Sequence, residues 1–301
     1  MLKSLSSSIL KLGIAVSLVL VSSSTKTITN ENLLLAATVN TPTVSDLQDP
    51  KDGEIYQTII DRVTKLPQPS MGELVQKVAR QFLGAEYQAG LLDRSPQETL
   101  VISLQQFDCL LFVETVLAIA SNLAKEEYGD RAFSQEVEDR RYWNGKMNGY
   151  CSRLHYFSDW IEDNQRRDNV RNITSSLGGI DTIKKLNFMT THRSSYPNLV
   201  KEANFKCIAR VEDSLSSRFN YIPTKEIRQV YSQLQPGDII GVATDIAGLD
   251  FTHTGFVYRQ PNGSIGLIHA SPAGSVVIAA DLQNYVVNVK NAIGIVVARA
   301  K

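Results

Sequence analysis

The chain has 301 residues, of which 43% are hydrophobic and 21% are charged. This is the composition of a globular protein with one large core or two small ones. Its 31 basic side chains balance 31 acidic ones, which excludes electrostatic attraction as the basis for binding a nucleic acid. A neutral partner fits this charge balance better than a polyanion.

The N-terminus has the order of a secretory signal peptide. Lys3 and Lys11 precede the apolar run 12–20, and the small residues 22–24 follow it. The run is shorter than the ~20 residues that span a bilayer. We predict a signal peptide over 1–24, with a second candidate cleavage point after Ala37. The alternative is an uncleaved anchor, and both place the rest of the chain outside the cytoplasm.

The remainder is predicted to form one domain over residues 51–301. Residues 25–50 are rich in Thr, Asn, Ser and Asp, which is typical of a disordered lead-in. Apolar residues at three- and four-residue spacing then predict two helices before residue 84. Pro67 and Pro69 separate these helices, and Ser70 is a suitable cap for the second one.

The most apolar segment beyond the leader follows Phe107-Asp108-Cys109 and predicts a central, buried helix over residues 110–123. Asp108 is a suitable N-cap, which places Cys109 in the first turn. Backbone N–H groups and the helix dipole at that position favour a thiolate and can hold an oxyanion. The alternative is a cysteine that simply packs beside an apolar helix.

The C-terminal part changes to short runs rich in Val and Ile, which predict strands. These runs cover residues 239–243, 252–258, 264–269, 276–278 and 293–298. Helices followed by strands indicate an α+β fold. Residues 125–235, with a helix predicted from Tyr150 to Ile161, are interpreted as a helical insertion.

Two histidines lie on runs that the turn Gln260-Pro261-Asn262-Gly263 joins into a hairpin. A turn centred near Pro261 and Asn262 places His253 and His269 opposite or nearly opposite, with side chains ~5 Å apart. In this arrangement one imidazole acts as a base and the other orients its ring. The alternative is a pair of surface histidines.

The other two cysteines, Cys151 and Cys207, either form a disulfide or stay buried and unpaired. The sequence has no CxxC pair and no His/Cys cluster at zinc spacing. We therefore predict no metal site and no cofactor.

Several motifs together resemble the NlpC-type cell-wall cysteine peptidase superfamily. They are Phe107-Asp108-Cys109, the Pro-Gly-Asp turn at 236–238, His253 ahead of Gly-Phe-Val, and His269-Ala-Ser. This resemblance implies a papain-like core in which a nucleophile-bearing helix packs on an antiparallel sheet or half-barrel. It assigns Cys109 as nucleophile, His253 as base and His269 as the orienting group.

Residues 83–92, 112–118 and 153–161 resemble one branch that was first catalogued as a domain of unknown function. The branch implies N-acetylmuramoyl-L-alanine amidase activity, a preference for anhydro-muropeptides, and extra helices that reshape the substrate cleft. Leu110 and Leu111 depart from the small or hydroxylated residues expected after its cysteine.

Four further residues are candidates for substrate binding or oxyanion support. Tyr87 matches the tyrosine upstream of the superfamily cysteine, although a core tyrosine is the alternative. Arg153 and His155 are expected to contact the sugar or a stem-peptide carboxylate, or else to lie on a solvated helix face. Ser271 is expected to support the site beside His269.

The expected function is cysteine-dependent hydrolysis of the bond between MurNAc and the stem peptide, in the periplasm or cell envelope of a bacterium. The expected partners are peptidoglycan or muropeptide fragments, without nucleic acid and without stable membrane insertion after removal of the leader. Three alternatives are a γ-D-glutamyl-diaminopimelate endopeptidase, a catalytically silent wall-binding module and a lipid acyltransferase.

Overall fold

The computed structural model describes residues 47, 49–65, 69–215 and 218–301. The predicted signal peptide at 1–24 and nearly all of the predicted lead-in at 25–50 lie outside these residues. Within the described ranges, no helix has both the length and the apolar character needed to cross a membrane.

Eight α-helices form in the described part of the chain. They are α1 (Pro50–Val63), α2 (Met71–Gln81), α3 (Cys109–Lys125), α4 (Asp130–Arg141), α5 (Phe157–Arg166), α6 (Phe188–Thr191), α7 (Glu202–Ser214) and α8 (Leu282–Val287).

Ten strands accompany these helices. They are β1 (Glu86–Tyr87), β2 (Gln106–Phe107), β3 (Val170–Asn172), β4 (Ile180–Ile183), β5 (Arg218–Pro223), β6 (Ile239–Thr244), β7 (Phe251–Arg259), β8 (Ile265–Ala270), β9 (Val276–Ala279) and β10 (Ala292–Ala300). Strands β1 and β2 form a short parallel pair. The other eight form one antiparallel sheet in the order β4-β5-β10-β6-β7-β8-β9, with β3 paired to β10.

The α+β prediction is confirmed. All five predicted strand runs are present as β6–β10, with ends shifted by one or two residues. Strands β3, β4 and β5 were not predicted, and they lie inside the segment 125–235 that was interpreted as helical.

Local capping explains where the first helices begin. Asp49 accepts a hydrogen bond from the Lys51 amide at 2.9 Å at the start of α1. Ser70 and Glu73 form a reciprocal capping box at the start of α2. The predicted helix pair and the predicted Ser70 cap are both confirmed.

Helix α3 lies at the centre of the molecule. It packs against α2, α4, β7 and β8, and its residues from Leu111 to Asn122 are buried. An α-helix that is apolar on nearly every face is stable only when other elements enclose it. The predicted central helix is therefore confirmed.

The two faces of the sheet carry different layers. Phe256 of β7 belongs to the larger core cluster together with Phe112 of α3. Its neighbour Val257 belongs to the second cluster, with Leu282 and Val286 of α8. Alternation along β7 thus directs successive side chains toward α3 and toward α8.

The predicted helix from Tyr150 to Ile161 is wrong over its first half. Residues Tyr150–Ser152 form a 3₁₀ turn, and α5 begins only at Phe157. Between them, Arg153 forms a bridge with Tyr142, and the Leu154 amide donates to the Arg141 carbonyl at 2.9 Å. These backbone contacts hold the chain extended where the apolar spacing predicted a helix.

A disulfide joins Cys151 to Cys207, across 56 positions of sequence. It connects the Tyr150–Ser152 turn to α7, beside a small core cluster that includes Tyr156 and Ile208. The pairing left open by the sequence is therefore present, and Cys109 is the free cysteine.

We expect loss of this disulfide to lower the free energy of unfolding, since the bond restricts the unfolded chain. The chain-entropy relation gives a stabilisation of about 4 kcal/mol for a loop of this length. Denaturant unfolding of a Cys151→Ser/Cys207→Ser variant measures the effect. A Cys109→Ser variant is the control, and its midpoint should stay near that of the parent. Equal midpoints for the parent and the double variant would contradict the expectation.

Candidate active site

The position of Cys109 is fixed by the N-terminus of α3. The Asp108 side chain accepts hydrogen bonds from the amides of Leu110 and Leu111 at 3.0 and 2.8 Å. Asp108 is thus the predicted N-cap, and Cys109 is the first residue of the helix. The residue is partly exposed, which leaves a route for a substrate to reach it.

Strands β7 and β8 bring two histidines beside this helix. The turn at 260–263 sets a register in which Phe256 pairs with Ile268, so Gly255 lies opposite His269. A Cβ at Gly255 would lie only 2.8 Å from the Cβ of His269. His253 and His269 are therefore diagonal neighbours, and the absence of a side chain at Gly255 makes room for His269.

The two imidazoles contact each other directly. Nε2 of His253 lies 2.7 Å from Nδ1 of His269, and the ring centroids are 4.8 Å apart with nearly perpendicular planes. Both residues are buried. The structure thus brings together the histidine pair that the hairpin pattern predicted.

An irregularity in the sheet sits next to this pair. Val242 of β6 pairs with His253, whereas the adjacent Ala243 pairs with Phe251, so Thr252 is an extra residue on β7. A β-bulge re-aims the side chains beside it and is frequent next to active sites. Here the bulge directs Phe251 to the face of the sheet that packs on α3. His253 lies on the same face of the sheet as Val242, its partner on β6.

The environment of Cys109 favours the neutral thiol. Burial is the largest effect and, with the nearby Asp108 carboxyl, raises the pKa of the thiol to about 12. The backbone N–H groups of Thr254, Cys109 and Leu110 lower the pKa but do not compensate. The backbone N–H groups thus favour the thiolate, as expected, but burial outweighs them.

Both imidazoles are also held neutral. Burial lowers the pKa of His253 to about 3, with a further contribution from His269. Burial alone lowers the pKa of His269 to about 4. A neutral imidazole can accept a proton, so His253 is in the protonation state that a general base requires.

Among the described residues, no hydrogen bond joins Cys109 to His253. Nε2 of His253 is engaged by His269, which leaves Nδ1 as the nitrogen available to another partner. The amide of Thr254, the next residue along β7, is close enough to Cys109 to act on its thiol. Catalytic hydrogen bonds often tighten only when the substrate is bound.

Two tyrosines border the cluster. The pKa of Tyr87 is raised by burial, and then by the charges of Cys109 and Asp108, which places this residue near the thiol. Its support of the oxyanion stays a prediction. Tyr285 was not predicted. Its ring centroid lies 4.5 Å from that of His269 and 5.9 Å from that of His253, and burial together with Cys109 raises its pKa to about 12.

Ser271 acts on the backbone beside the site. Its hydroxyl accepts a hydrogen bond from the Ala273 amide at 3.2 Å. The same loop contains Gly274, whose carbonyl accepts a hydrogen bond from the Tyr87 amide at 2.8 Å. Ser271 therefore shapes the loop that holds Tyr87.

Arg153 and His155 contact other residues of the protein and do not lie on a solvated helix face. The Arg153 guanidinium pairs with Asp93 at 2.6 Å and with Glu98 at 3.7 Å. Nε2 of His155 lies 2.9 Å from the Tyr150 carbonyl, and burial lowers its pKa to about 3, with a second contribution from Arg153. Among the described residues, no hydrogen bond, ion pair or ring contact links Arg153 or His155 to the cysteine and histidine cluster. Their predicted contact with substrate stays a prediction.

Across the described ranges, no group of three or more His, Cys, Asp or Glu side chains is arranged to hold a metal ion. The candidate site consists of the side chains and backbone amides given above.

The fold and site define an α+β protein with a partly exposed cysteine at the N-terminus of its central helix and two contacting histidines on the adjoining strands. A sequence profile of the N-acetylmuramoyl-L-alanine amidase-like family matches residues 77–295. The chain belongs to this family. Membership supports a hydrolase that acts on peptidoglycan.

Two solved structures share this fold, and one of them is named as an amidase. A crystal structure of an N-acetylmuramoyl-L-alanine amidase from Bacteroides uniformis is 29% identical, with a TM-score of 0.72, and the match covers 77% of this chain and 99% of that chain. A Bacteroides fragilis protein named as a candidate xylanase is 31% identical, with a TM-score of 0.65 and coverage of 74% and 99%.

A Legionella pneumophila protein, 22% identical with a TM-score of 0.66 and coverage of 84% and 95%, shares the fold. No curated protein matches the chain significantly.

We expect both site imidazoles to stay neutral well below the ordinary histidine range. Proton NMR of the folded protein should show no titration of His253 or His269 above pH 5, whereas both should titrate near ~6.5 in the unfolded chain. Because the unfolded chain binds these protons first, the two residues should lower the free energy of unfolding as the pH falls from ~6.5 toward their folded pKa values of about 3 and 4. Titration of either ring near pH 6.5 in the folded protein would contradict this.

Proposed function

We propose that this chain is a cysteine-dependent N-acetylmuramoyl-L-alanine amidase. It hydrolyses the amide between the lactyl group of MurNAc and the L-alanine of the stem peptide, on anhydro-muropeptide fragments. The observation that carries the proposal is the position of Cys109 at the start of α3, a helix that packs on the strands carrying the contacting His253 and His269. Membership of the amidase-like family supports the choice of bond.

The first chemical step transfers one proton and forms one bond. Nδ1 of His253 accepts the Cys109 thiol proton while the sulfur attacks the lactyl carbonyl carbon. The carbonyl oxygen becomes an oxyanion. Asp108 occupies the amides of Leu110 and Leu111, so the Cys109 N–H is the donor at the start of α3 that is left to stabilise it. One such donor is typically worth about 3 kcal/mol of activation free energy.

The intermediate then collapses with expulsion of the stem peptide. The protonated His253 donates its proton to the L-alanine nitrogen as the C–N bond breaks, which leaves a MurNAc thioester on Cys109. Water, deprotonated by the same imidazole, attacks the thioester and releases the MurNAc carboxylate and the thiol. Each proton taken by His253 is returned, so the enzyme ends in its starting state.

The neutral ground state shapes this mechanism. Burial raises the pKa of the thiol and lowers the pKa of both imidazoles. In the free enzyme the thiol and the imidazoles are therefore neutral, and no thiolate–imidazolium pair is present. Charge separation occurs with the substrate in place, where the oxyanion donors can stabilise the charge as it moves to oxygen. His269 stabilises the His253 imidazolium through the Nε2–Nδ1 contact.

We place the enzyme outside the cytoplasm, in the periplasm or cell envelope. The predicted signal peptide supports this location. The Cys151–Cys207 disulfide supports it independently, because structural disulfides persist mainly in oxidising compartments. Muropeptides released from the wall are available there as substrates.

Incubation with defined muropeptides tests the proposal. The parent should release the intact stem peptide, with L-alanine at its N-terminus, faster from anhydro than from reducing-end muropeptides. Mass spectrometry identifies these products. Cys109→Ala should lower the rate by at least ~10³-fold, because it removes the group that forms the covalent intermediate.

The Cys151→Ser/Cys207→Ser variant is the matched control, since it also removes cysteine sulfur but not from the site. Its folded fraction should keep the parent rate. Release of a shorter peptide, with diaminopimelate at its N-terminus, would instead indicate a γ-D-glutamyl-diaminopimelate endopeptidase. Binding of muropeptides without any product would indicate a silent wall-binding module.

A further inference from the structure

The orienting histidine has few restraints of its own. Nδ1 of His269 faces Nε2 of His253 at 2.7 Å, and among the described residues it makes no other side-chain hydrogen bond. Its one partner is also an imidazole that can rotate about its side-chain torsions. A residue that orients a catalytic base must itself be held, so packing must supply the restraint that hydrogen bonds do not.

Tyr285 supplies packing against this ring. Its ring lies 4.5 Å from the His269 ring with an interplanar angle of 55°, and 5.9 Å from the His253 ring. Tilted aromatic contacts at such distances are attractive. Tyr285 therefore contacts both imidazoles, although it lies on a different element from either histidine.

Hydrogen bonds and packing hold the helix that carries Tyr285 in place. It lies on α8, where Asp281 accepts a hydrogen bond from the Asn284 amide at 2.8 Å. The Tyr231 hydroxyl accepts another from the Gln283 amide at 2.7 Å, and Leu282 is fully buried. A residue on a short helix that is capped and packed in this way can fix the position of its neighbours.

The opposite side of His269 is bounded by β7. A Cβ at Gly255 would lie 2.8 Å from the His269 Cβ and 2.7 Å from the Ile268 carbonyl oxygen. The His269 side chain therefore passes close to the backbone of Gly255, while Tyr285 contacts its ring. Between these two boundaries the ring has little freedom to turn away from His253.

We propose that Tyr285 is a positioning residue for the reaction described above, holding the His269 ring so that its Nδ1 faces Nε2 of His253. This inference rests on the proposed function. By fixing His269, Tyr285 keeps Nε2 of His253 occupied and Nδ1 available for the Cys109 proton.

The role belongs to the ring of Tyr285 and not to its hydroxyl. The hydroxyl makes no hydrogen bond within the described part of the chain, whereas the ring contacts both imidazoles. Removal of the oxygen alone should therefore leave the orientation of His269 intact. Removal of the aromatic ring should release it.

Two substitutions separate these contributions. Tyr285→Phe should change kcat on the muropeptide substrate by less than ~3-fold, whereas Tyr285→Leu should lower kcat by ~10- to 100-fold, the effect of a small misplacement of a catalytic group. KM should stay within ~3-fold for both, because the residue acts through His269. An equal loss in both variants, or no loss in Tyr285→Leu, would overturn the proposal.

Tyr221→Leu is the matched control. Tyr221 is a partly buried tyrosine that packs against the larger core cluster, and among the described residues it has no ring contact with either histidine and no hydrogen bond to α8. The same change at this position should lower stability while leaving kcat of the folded protein within ~2-fold of the parent. A loss of kcat equal to that of Tyr285→Leu would show that a general loss of packing suffices, and would overturn the specific role.

A substrate-free measurement distinguishes failure of this inference from failure of the proposed function. Imidazole ¹⁵N shifts report which ring nitrogen carries the proton. Parent and Tyr285→Phe should show a single tautomer for His253 and His269, and Tyr285→Leu should show averaged shifts. This result in a protein that hydrolyses no muropeptide would refute the amidase but keep the positioning role. Unchanged shifts in Tyr285→Leu would refute the positioning role whatever the activity.

Discussion

Burial of α3 against β7 and β8 is the constraint on which the rest of the site depends. A helix with apolar side chains on nearly every face is stable only when other elements enclose it. Here β7 and β8, the strands that carry His253 and His269, are among the elements that enclose α3. The same burial keeps the Cys109 thiol and both imidazoles uncharged in the free protein. Packing thus assembles the side chains of the proposed site and also sets their protonation states in the free protein.

Much of this arrangement could be predicted because its signals are local. Asp108 is followed by a long apolar run, so the cap, the helix and the position of Cys109 all follow from neighbouring residues. The turn at 260–263 links two strand patterns, and a turn fixes the register of its hairpin to within a residue or two. That precision was enough to place the two imidazoles together, although as diagonal rather than directly opposite neighbours.

The features that could not be predicted depend on partners far away in the sequence. The extended conformation at Arg153 follows from pairing with Tyr142 and from a side chain drawn to Asp93, neither of which the helical spacing reveals. Tyr285 carries no motif, and its importance follows only from the packing of α8 on the sheet. The Cys151–Cys207 pairing spans 56 positions, and only the fold brings its sulfurs together.

In the proposed mechanism, Cys109 attacks the lactyl carbonyl of MurNAc. Rapid acid quenching during turnover of an anhydro-muropeptide, followed by mass spectrometry of the protein and its peptides, captures the thioester directly. We expect an adduct on Cys109 that retains the anhydro-sugar and lacks every stem-peptide residue. An adduct that contains L-alanine and glutamate, an adduct on another residue, or turnover with no adduct under conditions that preserve thioesters would contradict it.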